Sequence, residues 1–420
     1  MQKVEIVKID SDGVGVARID NKPVLIGKVL PQEIVTIDNV VDKGKYMTAD
    51  CIDVVECSSE RVVPKCPYYL YCDGCNLQHA SDDFEQKYKI DVVKQALKHV
   101  AGLDVTINAF VNGTETFGYR NKIVFAVHDG SVGMYRKGTH DLVTIDRCML
   151  ISKELNNFVS NVTSWLQEAK PDLNHIAFRQ IGEKFQCVLI AKDKPHSLDK
   201  LLAMLDVNYA GCYQIVYNHN DGIKDLITND LTVLAGDVIY DNFLGIQYPV
   251  SANSFLQVNR KVSEKLYSAV LQLASGDVVI NAYSGAGVLS AILASSAKRV
   301  YGVEVVNNAS DNAEELKKAN NIDNMYNLCG KSEVLIPKIL QKEKKATLVV
   351  DPPRKGLDAG LTKYINNNTS IDKVIYVACS PNSLARDVRN MPNYKIRHIS
   401  LYNMFPQTSH VETLVELIRK

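Results

Sequence analysis

The sequence predicts an α/β chain whose C-terminal part is a doubly wound parallel sheet, preceded by a small β-barrel and a central β-rich region. Three features predict it. After Pro249, apolar runs of strand length (VVINAY, RVYGVEV, ATLVVDPP, KVIYVACS) alternate with helical stretches, the pattern of a parallel sheet covered on both faces. Residues 1 to about 55 alternate apolar and polar positions between Gly, Asp and Asn breaks, as a small all-β barrel does. Between them, residues 110 to about 245 are rich in strand-like segments. The expected domains are 1–57, 58–245 and 246–420.

In the barrel segment, VEIVKID, GVGVARID, PVLIGKVLPQEIVTI and MTADCIDVVE are the strands. It carries seven Lys or Arg against nine Asp or Glu, so a structural cap and an RNA-binding barrel are equally compatible with it. From Ser81, SDDFEQKYKIDVVKQALKHVAG has helical periodicity, an acidic first turn and a Gly stop at Gly102. The helical segment, taken as 81–109, is expected to pack on the C-terminal domain. GYRNKIVFAV, SVGMYRKGTH, HIAFRQIGEKFQCVLIAK and QIVYNHN are the central strands, interrupted by one helix, KELNNFVSNVTSWLQEA.

With 420 residues, 46% of them apolar, there is ample material for packed cores. No apolar run reaches the roughly 20 residues of a membrane helix and MQKVEIVKID has no apolar signal core, so a cytoplasmic location without membrane attachment is expected. Forty-eight basic residues balance 48 acidic ones, so a nucleic-acid surface must be a local patch. Such a patch is offered by residues 118–140, where Arg120, Lys122, Arg136 and Lys137 face one acid, Asp129, among Tyr119, Phe125 and Tyr135. Basic groups pair with phosphates and rings stack on unpaired bases, although a solvated strand face has the same composition.

Ten cysteines without a secretion signal point to metal binding or catalysis more than to disulfides. Cys66, Cys72 and Cys75 cluster within ten residues and supply three soft ligands; a fourth must come from elsewhere. Four thiolates suit either tetrahedral zinc or a four-iron cluster. Cys51, Cys57, Cys187, Cys212 and Cys329 read as packing or inert thiols.

VVINAYSGAG ends a strand with Gly285 and Gly287 just before a helix, where glycines let a ligand approach the backbone. Glu304, 19 residues beyond Gly285 at the end of YGVEV, can accept hydrogen bonds from ribose hydroxyls. The same geometry serves nicotinamide cofactors. The missing third glycine and the later strand tip DPPRKG, with Asp351 in the same crevice, favour S-adenosylmethionine.

A second strand tip, YVACSPNSLARD, holds Cys379. A thiolate there can add to C6 of a pyrimidine, making C5 nucleophilic toward a methyl donor; a base must then remove the C5 proton. Arg354, Lys355 and Arg386 are candidates to help ionise the thiol. FPQTSHVE supplies Glu412 and His410 as rival bases, and a desolvated carboxylate at Glu412 should have a raised pKa.

Together these segments resemble the RNA uridine-C5 methyltransferases, and among them the iron-sulfur, TRAM-domain branch acting on 23S ribosomal RNA. The resemblance runs through Cys66-x5-Cys72-x2-Cys75, FGYRNK, GMYRKGTH, DRCMLI, VSANSFLQVN, YSGAG, DPPRKG, YVACSPNSLARD and FPQTSHVE. It implies a Rossmann-like methyltransferase domain, an OB-like TRAM barrel and a central domain carrying a [4Fe-4S] cluster. It implies Cys379 as nucleophile, Glu412 as base, and Gln257, Tyr283, Gly285, Glu304 and Asp351 around S-adenosylmethionine. Cys148 matches the fourth cluster ligand; Arg120, Lys122, Arg136 and Lys137 become RNA contacts, with large-subunit rRNA as partner and a monomer as the working form. A tRNA substrate is disfavoured because that branch generally lacks the barrel and the cluster. Asn281, Ser284, Val288 and Arg260 depart from the family pattern near the cofactor and put its affinity in question.

Overall fold

The computed structural model describes residues 1–136, 139, 141–222, 226–254 and 256–420. The chain forms two compact units, each discontinuous in sequence. One comprises Met1–Gln95, Met134–Ile145 and Phe405–Val411; the other comprises Ala96–Gly133, Asp146–Met404 and Glu412–Lys420.

In the smaller unit the strands run in the order Gln2–Glu5, Ile34–Asp42, Met47–Glu56, Lys22–Gly27, Val14–Ile19, Lys8–Ile9. The first and last members are halves of one N-terminal strand. Between them, Ile6 N–H donates to Glu33 O and Val7 N–H to Val16 O, both at 2.9 Å, so the sheet closes on itself as a barrel. Alternation in IVTI puts Val35 and Ile37 inside with Val4, Ile6, Val24 and Ile26. The following helix is Asp82–Ala101; it stops one residue before Gly102, at φ +69°, and not at 109. Residues Ala109–Val111 form instead a short strand of the larger unit.

Among the described residues the larger unit holds a two-stranded sheet, Tyr240–Phe243 with Ile246–Pro249, and two large ones. In one, Lys122–His128, His175–Ile181, Lys184–Ala191, Tyr213–His219 and Leu231–Ala235 are successive neighbours. The other has eight strands in the order Met325–Cys329, Arg299–Glu304, Val278–Ala282, Ala346–Val350, Ile371–Ala378, Glu412–Arg419, Tyr394–Tyr402, Ala109–Val111. All neighbours in this sheet are parallel except those flanking Glu412–Arg419, which runs opposite to both. Every residue of VVINA and ATLVV is buried, as expected for central strands covered on both faces.

Two consequences position the site. Strand order reverses between Val278–Ala282 and Ala346–Val350, and the crevice beyond their carboxyl ends is where such sheets take ligands. The reversed direction of the last strand brings its first residue, Glu412, to that same edge. The register Ala378↔Thr413 then sets Glu412 opposite Cys379.

Candidate active site

Most of the functional side chains stand at strand ends. In YSGAG, Tyr283 (φ +62°), Gly285 (φ +54°) and Gly287 (φ +83°) make the turn into the helix Val288–Ala294. A Cβ on Gly287 would stand 2.7 Å from Ala313 Cβ, so that glycine allows the helices to close together. A Cβ on Gly285 would meet nothing within 4 Å, because its open side faces a cavity. Gly285 N–H donates to Glu304 Oε2 at 2.9 Å, while Val305 and Val306 N–H groups donate to Oε1. The carboxylate expected at the ribose thus also ties the glycine loop to the neighbouring strand.

A cavity of about 410 Å³ collects Gln257, Tyr283, Gly285, Glu304 and Asp351, residues spread over 95 positions of the chain. The positions that depart from the family pattern are accommodated locally. Asn281 is buried and donates to Ser290 Oγ at 2.9 Å, its Oδ1 unpartnered at the cavity wall. Arg260 opens the helix Arg260–Leu273 and pairs with Asp241 at 2.6 Å and Glu264 at 3.0 Å.

Asp351 ends its strand just before Pro352 and Pro353, which have no N–H to offer it. It lines the cavity, and burial pushes its carboxyl up to about 7. Glu412 is 4% exposed, and its carboxylate accepts no hydrogen bond among the described residues. Burial first, then the Asp351 charge, push it up to about 8 against the opposing pull of Arg354, in agreement with the expectation of a desolvated carboxylate. Cys379 sits between strand Ile371–Ala378 and the helix Pro381–Arg389, whose first turn is capped by Ser380 and begins with Pro381. Burial, Glu412 and Asp351 push the thiol up to about 11, and Arg354 pulls it down.

Several expectations are corrected here. Arg386 does not serve the thiol: it pairs with Asp387 at 2.6 Å and donates to Lys355 O. His410, the rival base, is exposed and belongs to the other unit. Tyr267 escaped sequence reading, because a tyrosine inside an amphipathic helix looks like core. It stacks edge-on to Phe243 at 5.4 Å, lines the cavity, and has Asp351 and Glu412 as its electrostatic neighbours.

The RNA patch is redistributed as well. Arg136 is exposed, with its guanidinium 5.4 Å from the Tyr71 ring centre in the smaller unit. Arg120 and Lys122 are half-buried in the larger unit, and Phe125 is a core ring packed on Phe178, unable to stack on bases. Lys137 lies outside the described residues.

The thiols of Cys66, Cys72 and Cys75 lie in the smaller unit and Cys148 in the larger. The turn between Cys66 and Cys72 is stapled by Lys28, which donates to Tyr69 O at 2.6 Å and Leu70 O at 3.0 Å. Cys72 Sγ accepts Gly74 N–H at 3.4 Å. Among the described residues no group of three or more His, Cys, Asp or Glu is arranged to hold a metal ion, so the expected cluster is not preformed by these side chains.

A doubly wound α/β fold with a thiol and two raised carboxylates on the sheet edge that also opens on the cavity defines a group-transfer enzyme of the methyltransferase type. Residues 224–420 match the model of the tRNA (uracil-5-)-methyltransferase family. An uncharacterized RNA methyltransferase of Clostridium acetobutylicum is 31% identical, with alignment over 100% of this chain and 99% of its own length. One from Halalkalibacterium halodurans is 33% identical over 99% and 96%. The crystal structure of Pyrococcus abyssi tRNA (uracil-54, C5)-methyltransferase shares the fold with a TM-score of 0.80 over 99% of both chains, at 24% identity. The chain belongs to this family of RNA uracil-5 methyltransferases, which use S-adenosylmethionine as methyl donor.

Proposed function

We propose that the chain methylates uridine C5 in 23S rRNA through a transient bond between Cys379 Sγ and uracil C6. The observation that carries the reading is the placement of Cys379, Glu412 and Asp351 on one edge of the sheet beside the cavity. Cys379 gives its proton to solvent and adds to C6, and the resulting enolate would take the donor's methyl group at C5, the donor leaving as the neutral thioether S-adenosylhomocysteine. Glu412, its carboxylate without hydrogen-bond partners, removes the C5 proton; the C5–C6 double bond re-forms and the thiolate leaves. S-adenosylmethionine supplies an electrophilic methyl group and a positive charge, which offsets the two carboxylates that oppose ionisation of Cys379. Gln257, Tyr283, Gly285, Glu304 and Asp351 hold it. A duplex cannot present C5 and C6 to such an edge, so the target base is unpaired or flipped out.

Transfer RNA is the second reading. The Pyrococcus abyssi tRNA enzyme has the same fold over 99% of both chains, so a full-length architecture does not by itself separate the two substrates. The rRNA choice rests on the Cys66-x5-Cys72-x2-Cys75 resemblance, with Cys148 as the fourth ligand. A [4Fe-4S] cluster is part of that proposal, outside the reaction itself; iron and sulfide analysis of anaerobically purified protein tests it, and stoichiometric zinc would replace it. The deciding experiment supplies labelled S-adenosylmethionine with rRNA and tRNA transcripts, alongside Cys379→Ala. Cys379-dependent 5-methyluridine in rRNA alone supports the reading; label in tRNA alone moves the substrate, and Cys379-independent transfer removes the nucleophile.

A further inference from the structure

The connection between the antiparallel strands Tyr394–Tyr402 and Glu412–Arg419 belongs to the smaller unit over Phe405–Val411. Glu412 is the first residue beyond it and pairs with Tyr402 at the mouth of this hairpin. The backbone of the base is therefore set by the strand that follows it and by the loop that precedes it. That loop is held out of its relaxed form, since Gln407 keeps φ at +69° without being a glycine.

A buried ion pair on the helix Asp82–Ala101 does the holding. Lys89 and Glu85 are 0% and 4% exposed, and Lys89 Nζ donates to Glu85 Oε1 at 2.6 Å, one helical turn away. Each also captures the loop backbone: Lys89 donates to Phe405 O at 3.1 Å, and Glu85 Oε2 accepts Gln407 N–H at 3.0 Å. Asn76 adds a second grip. Its Oδ1 accepts Ser409 N–H at 2.8 Å and its Nδ2 donates to Ser409 Oγ at 3.0 Å, while Asn76 and Leu77 N–H groups donate to Gln407 O. From Ser409, His410 and Val411 lead directly to Glu412.

Packing alone does not call for charges here, since an apolar pair of similar volume often stabilises a buried site as well. What the ion pair adds is direction: its further donor and acceptor reach one backbone carbonyl and one backbone N–H, and so single out one loop conformation. We infer that Glu85 and Lys89 are positioning residues that hold Phe405–Ser409 in the conformation from which Glu412 reaches the C5 proton. The inference rests on the reading of Glu412 as the base, and it gives the smaller unit a part in the chemical step through the chain itself.

The test follows methyl transfer from labelled S-adenosylmethionine to a transcript that wild type methylates, in the full chain. It compares wild type, Glu412→Gln, and Glu85→Leu combined with Lys89→Met, which removes both charges together. Denaturant unfolding and S-adenosylmethionine affinity identify the variants that fold and keep the cofactor site. The double variant should lose about tenfold to a hundredfold in turnover with KM for RNA unchanged. It should also accumulate RNA bound covalently to protein on a denaturing gel, as Glu412→Gln does, because the bond at C6 forms while the C5 proton stays. Glu85→Gln combined with Lys89→Met returns an amide oxygen to Gln407 N–H and should recover turnover and lower the adduct. Asn76→Ala leaves the ion pair intact and should move both readouts in the direction of the double variant; it decides the matter where the double variant does not fold. Turnover equal to wild type, or turnover lost without adduct in a folded variant while Glu412→Gln does accumulate it, overturns the positioning role alone. No adduct in Glu412→Gln, with transfer still dependent on Cys379, defeats the reading of Glu412 as base and the positioning role with it.

Discussion

Glu33 and Glu412 are equally hidden glutamates with opposite fates. In the barrel, Glu33 is 0% exposed, and burial alone would raise its pKa. Arg61 and the N–H groups of Leu30 and Ser58 outweigh that, and the carboxyl falls below its usual range. At the sheet edge, Glu412 is 4% exposed and has no such donors among the described residues, so burial and Asp351 prevail and its carboxyl rises to about 8. Burial does not decide whether a carboxylate is structural or reactive; the donors placed around it do.

Five predictions sharpen this contrast. The largest effect is on the nucleophile that Glu412 faces: Cys379→Ala should reduce methyl transfer by at least about 10⁴-fold, measured as label in RNA. Glu412→Gln should slow turnover by about 10²–10⁴-fold and, unlike Cys379→Ala, accumulate RNA bound covalently to protein on a denaturing gel. Unimpaired turnover in that variant would remove Glu412 from the mechanism. In the barrel, Glu33→Gln leaves Arg61 half-buried without its counterion and should cost about 3 kcal/mol of stability, read by denaturant unfolding.

The smallest effect has opposite signs at the two sites. Glu33 is lowered in the folded state, so its contribution is present above about pH 4.5 and is lost as pH falls through the folded value. Glu33→Gln should therefore differ most from wild type near neutrality and least in acid. Glu412 is raised, so the folded protein holds a proton that the unfolded chain releases, and stability falls as pH rises from about 4.5 to about 8. Glu412→Gln should then gain stability over wild type as pH rises towards 8, the difference vanishing near pH 4. Parallel pH curves for the two variants would break the comparison. Turnover by wild type should rise with pH from about 7 and keep rising past 9, because the base titrates at about 8 and the thiol at about 11.

Much of the site was legible because it follows strand tips. An apolar run ending in a polar residue before a glycine or proline turn marks the carboxyl edge of a parallel sheet, and Gly285, Glu304, Asp351 and Cys379 all stand there. Other positions misled for one reason: residue type does not report solvent access. Phe125 has the composition of a stacking ring but faces the core; Arg386 has the charge to activate a thiol but is held by Asp387. Tyr267 carried no local signal, since its neighbours Asp351 and Glu412 are 84 and 145 positions away.

By itself, the sequence determined the elements and the chemistry available: hydrophobic period sets strand or helix, and only certain side chains can add to a ring or take a proton. Tertiary structure decided which of them act together. The reversed last strand sets Glu412 opposite Cys379, and Pro352 and Pro353 deny Asp351 their donors. Ionisation depends on distance and desolvation, and both are properties of the assembled sheets.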